Sequence, residues 1–151
     1  MVRAAGIAFS GDGKIMYCAD GASGRMVRCS YDAGRAKVGH VATFADTGAG
    51  LEATVIDSAD RLWSVQAGQL VHYAADGVVA RRLALGDESA AALAFGGEAL
   101  DRLLVLGAEG GLYGLPAGAV ESGVCGVADA PFDDAAWAAG KAAGQGARAV
   151  E

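Results

Sequence analysis

Ile7 and Phe9 alternate with small residues in Gly6-Ile7-Ala8-Phe9-Ser10, and Ile15, Tyr17 and Ala19 resume that two-residue period after Gly11-Asp12-Gly13. Alternation of this kind puts every second side chain on one face of a pleated strand. The Gly-Asp-Gly between the two runs tolerates positive φ, so the pattern predicts strand, tight turn, strand. The unit returns as Ala53–Asp57, a turn at Ser58-Ala59-Asp60, and Arg61–Val65. It returns again as Ala92–Phe95, a longer turn, and Arg102–Val105.

Further alternating runs complete the first two units. Arg25–Tyr31 places Val27, Cys29 and Tyr31 on one face, and Val38–Phe44 follows as an outer strand. In the second unit, strands are expected near Leu70–Ala74 and Val78–Leu85, with Arg81 and Arg82 on the polar face of an edge strand. The third unit continues only to Gly111–Leu115, because Pro116 has no N–H for a ladder. Phe9 and Ile56 are 47 residues apart, and Ile56 and Phe95 are 39 apart. A period near 40 made of short strands predicts an all-β chain of about three four-stranded antiparallel blades of a β-propeller. The expected blades span residues 5–46, 51–87 and 89–118 of a 1–118 domain. Residues 119–151 then carry one closing strand around Val120, Val124 and Val127, and an Ala-rich tail. In that tail Asp133–Arg148 reads as a frayed helix or disorder, because Gly140, Gly144 and Gly146 each cost a helix roughly 1 kcal/mol.

Composition narrows what such a chain can do. Of its apolar residues 35 are Ala, and 24 further positions are Gly, so thin sheets pack closely but bury little area per residue. The net charge of −6, with no basic run, argues against nucleic acid or an anionic membrane as partner. No apolar run approaches the roughly 20 residues of a membrane helix. Met1–Ala5 lacks the apolar core of a signal peptide, so a cytoplasmic location is expected. Cys18, Cys29 and Cys125 are an odd set without metal-ligand spacing, and the first two read as buried thiols within strands.

Candidate chemistry is sparse. No serine sits in a G-x-S-x-G elbow. His40 and His72 fall on expected outer strands and read as surface residues, while Tyr17 and Trp63 occupy equivalent strand positions and read as packing between blades. Asp20 and Asp57 follow inner strands; they can face a channel or accept turn hydrogen bonds, the commoner role.

Three stretches carry a resemblance: Gly6–Asp32 (GIAFSGDGKIMYCADGASGRMVRCSYD), Ala53–Gly77 (ATVIDSADRLWSVQAGQLVHYAADG) and Leu93–Leu106 (LAFGGEALDRLLVL), followed by Gly110–Leu115. Together they resemble the C-terminal half of the SMP-30/gluconolactonase/LRE-like (regucalcin-like) family. The resemblance implies a six-bladed propeller that hydrolyses sugar lactones with one divalent metal, calcium or zinc. In that family a first-blade Glu, an Asn at an Asn-Gly strand start and an Asp at a Pro-Asp-Gly start hold the metal, and the Asp is the general base. Here the first Glu has no counterpart, the Asn position is Ala5, and the Asp position is Glu52. Glu52 is therefore the one candidate for both metal ligand and catalytic carboxylate. One carboxylate does not by itself make a site for a hard cation. Three readings stay open: a lactonase completed by a second copy, as a homodimer closing a six-blade ring; a non-catalytic fragment binding a ligand or protein; or a truncated product with Met1 an internal methionine.

Overall fold

The computed structural model describes residues 3–48, 50–86, 90–120 and 122–128. The Ala-rich segment Asp133–Arg148, expected as a frayed helix or disorder, lies outside the described residues.

Among the described residues eleven strands form where the alternation places them: β1 (Ala4–Phe9), β2 (Ile15–Asp20), β3 (Arg25–Asp32), β4 (Lys37–Asp46), β5 (Leu51–Ile56), β6 (Leu62–Gln66), β7 (Gln69–Tyr73), β8 (Val79–Ala84), β9 (Ala90–Gly96), β10 (Arg102–Gly107) and β11 (Leu112–Pro116). They make three antiparallel sheets in chain order, β1–β4, β5–β8 and β9–β11. Short reversals suffice for antiparallel neighbours: Ser10 and Asp12 side chains fasten the turn between β1 and β2 to the backbone, and Asp76 the turn between β7 and β8.

This arrangement corrects the expected β-propeller. The sheets are separate, none is curled or closed into a barrel or ring, and among the described residues the third holds three strands in place of a four-stranded blade, the extent its Pro116 predicts. The third sheet stops because Pro116 ends β11 and the chain turns into a short 3-10 helix, Ala117–Ala119. The sheets are held to each other by packing, with β1 beside β5 and β5 beside β9. A closed six-blade ring is not read from these sheets.

The middle sheet explains most of the core. Leu62, Val71 and Tyr73 pack toward the first sheet, with Tyr17, Met26 and Phe44, while Trp63, Val65 and Leu70 pack toward the third, with Leu93, Leu103 and Val105. With both faces covered, every residue of β6 is buried. His72, expected on the surface, is buried on β7 for the same reason and stacks on Trp63, ring centroids 4.3 Å apart. His40, by contrast, is exposed on β4.

Two connections need comment. At the crossing from the first sheet to the second, Gly24 has φ +69°, and a Cβ there would lie 1.5 Å from the Gly48 carbonyl oxygen. Only glycine permits that approach, which lets Thr47 donate through both its N–H and its hydroxyl to the Gly24 carbonyl. Beyond the 3-10 helix, where a closing strand is expected, the described residues form one bridge, Asp57 with Gly126. Val120 and Val124 are nonetheless buried in the second core, and the Ser58 and Gly126 amides donate to Cys125 and Leu100, strapping this segment across two turns.

Candidate functional site

The three first strands of the sheets meet along one line, and the backbone there is unusually close. A Cβ at Gly6 would stand 2.4 Å from Thr54 Oγ1 and 3.2 Å from the Thr54 amide, so β1 can lie against β5 only because residue 6 lacks a side chain. Toward the far ends of these strands a cleft of about 600 Å³ opens, lined among others by Ile7, Phe9, Thr54, Val55, Phe95 and Val127. Ile7 is 61% exposed and Phe9 44%, while Thr54 Oγ1 is buried without a hydrogen-bond partner among the described residues. Exposed apolar side chains in a concave wall suit a small ligand with an apolar body; Thr54 Oγ1, shut in the contact between β1 and β5, is not open to it. At the rim Gly11 donates to Asp60 Oδ1 at 2.7 Å, and the Ser10 hydroxyl, followed by the Lys14 amide, holds the Asp12 carboxyl below its usual range. Neither histidine is among the lining residues.

At the opposite ends of β1 and β5 lies Glu52. Its Oε1 accepts from Arg3 Nη2 at 3.3 Å, and the same nitrogen is 3.3 Å from the carbonyl oxygens of Gly21 and Leu51. Asp20 Oδ1 accepts from the Arg3 and Ala22 amides at 3.0 and 3.1 Å, so it serves as a turn acceptor. Ala5 is half-buried and offers a methyl group. Asp57, completely buried, accepts from the Ala59 and Arg61 amides and from Trp63 Nε1. It too is a turn acceptor, anchored in the core rather than directed at a cleft. Tyr17 and Trp63 are core residues on their respective strands.

The residues present do not fit a divalent metal as they stand. Glu52 is already neutralised by a guanidinium, and Ala5 cannot ligate. Among the described residues no group of three or more His, Cys, Asp and Glu side chains gathers to hold an ion. Arg3 is the residue that sequence reasoning missed. Lying outside the alternating runs, it carries no local signal, and its partners are up to 49 positions away.

Residues 1–109 match the profile of the SMP-30/Gluconolactonase/LRE-like region. The chain belongs to that family. Solved structures similar to it include a luciferin-regenerating enzyme, 23% identical with a TM-score of 0.73 over 83% of this chain and 47% of that one. A calcium-binding regucalcin from Agrobacterium tumefaciens is 27% identical, with a TM-score of 0.65 over 69% of this chain and 37% of that one. A gluconolactonase from Xanthomonas campestris is 23% identical, with a TM-score of 0.64 over 75% and 37%. The chain thus spans less than half the length of each of these proteins. No curated protein matches it. Among the described residues no helix is long and apolar enough to cross a membrane.

Proposed function

We propose that this member of the SMP-30/gluconolactonase family corresponds to the C-terminal half of its longer relatives and acts as a binding module. Its ligand is a small molecule with an apolar body, held in the cleft where β1, β5 and β9 meet. The observation that carries the reading is the cleft itself: Ile7 and Phe9 stand exposed in its wall. Its size is within the range of small-molecule sites. An apolar fluorescent probe such as anilinonaphthalene sulfonate tests it. Binding to the full chain is expected to fall by roughly tenfold in Phe9→Asp, which places a charge in the wall. Equal binding by the two proteins would overturn the reading.

Family membership and the carboxylate retained at Glu52 favour a second reading, hydrolysis of a sugar lactone with calcium or zinc. It is supported if added metal gives gluconolactone hydrolysis that Glu52→Ala abolishes. Equal rates in the two proteins remove Glu52 from any mechanism.

A further inference from the structure

We propose that Arg3 is a built-in cation: its guanidinium fills an oxygen-lined seat at the starts of β1 and β5 that accepts a divalent cation once the side chain is removed. Three oxygens from separate parts of the chain converge on Nη2: the Gly21 and Leu51 carbonyls and Glu52 Oε1, each at 3.3 Å. Two carbonyls and a carboxylate around one point are donors a hard cation uses, with water completing its shell. A guanidinium needs the same oxygens as acceptors for its N–H groups.

The seat is a built feature of the fold. A Cβ at Gly21 would lie 2.5 Å from the Leu51 oxygen and 2.6 and 2.8 Å from Arg3 Nη2 and Nε, so the space exists only because residue 21 is glycine. The backbone of residue 3 is pinned on both sides, its amide donating to Asp20 Oδ1 at 3.0 Å and its carbonyl accepting from Gly21 at 2.8 Å. The side chain therefore departs from a fixed point into a fixed cradle. Arginine stays protonated at any working pH, so the seat is permanently neutralised in the native chain and an approaching metal meets like charge. The Arg3 and Glu52 side chains are 53% and 39% exposed, which leaves a hydrated ion a path to the oxygens when the guanidinium is gone. This device is independent of the cleft and of any ligand there.

Calcium titration calorimetry on the full chain tests it. Arg3→Ala is expected to bind calcium at least about tenfold more tightly than the native chain, through removal of the like charge. Adding Glu52→Gln, or Gly21→Ala to fill the seat, is expected to return affinity to the native level. Arg3→Met, which keeps the apolar stem, repeats the measurement if Arg3→Ala has lost its β-sheet circular dichroism. Native and Arg3 variants binding calcium alike would overturn the proposal. So would a gain that survives Glu52→Gln.

Discussion

Trp63 Nε1 donates to Asp57 Oδ2 at 3.0 Å, and both residues are fully buried. The same carboxylate accepts from the Ala59 and Arg61 amides at 2.9 and 3.0 Å and from Arg61 Nε at 2.9 Å. One acid thus fastens the turn after β5 to the largest side chain of the second core. Asp57→Ala strands an indole N–H and two turn amides, and is expected to cost about 3 kcal/mol or more. Urea unfolding of the two proteins measures it, and a loss below about 1 kcal/mol would show that the carboxylate is replaceable by water.

The strands were legible because alternation is local: the strand expected at Arg61–Val65 forms at Leu62–Gln66, one residue on. Sheet arrangement was not. A 40-residue period tells how often a sheet begins, but the open, separate packing follows from contacts among β1, β5 and β9 that no short window contains. His72 illustrates the same limit. Alternation assigns its face, yet whether that face meets water depends on the third sheet lying over it. Glu52 was found as a retained carboxylate, whereas its engagement by Arg3 depends on a pairing across 49 positions.

The close approach of β1 and β5 predicts a coupled pair. Gly6→Ala puts a methyl 2.4 Å from Thr54 Oγ1, a contact that must be relieved by moving one strand or the hydroxyl. The expected loss is about 1–3 kcal/mol. Thr54→Ala removes the clashing oxygen and is expected to restore part of it, the remainder reflecting the Thr54 amide at 3.2 Å. A double-mutant cycle in urea reads the coupling, and strict additivity would mean the strands do not meet at these residues.

Alkaline pH should loosen the first core. Burial pushes the Tyr73 hydroxyl above its ordinary value near 10, an effect only partly offset by the hydrogen bond from Gln66. The folded chain then keeps a proton that the unfolded chain releases, so stability is intact below pH 10 and falls as pH rises from there through the folded-state value. Burial shifts Tyr17 the same way. Denaturant unfolding between pH 8 and 11 is expected to show this decline, and Tyr73→Phe to flatten it while costing about 1 kcal/mol at neutral pH. A decline of the same slope in Tyr73→Phe would assign it to other groups.

His72 and Trp63 face each other directly across the β6–β7 ladder, their rings 19° from parallel. Stacked cross-strand rings contribute about 0.5–1.5 kcal/mol beyond the area they bury. His72→Ala removes the stack and leaves a cavity beneath the indole, and is expected to cost about 2–4 kcal/mol. His72→Phe keeps a flat ring in that space and is expected to retain most of the stability, with Trp63 still shielded from a fluorescence quencher. If His72→Phe proves as unstable as His72→Ala, the imidazole's polar contacts, and not its stacking on Trp63, hold the second core together.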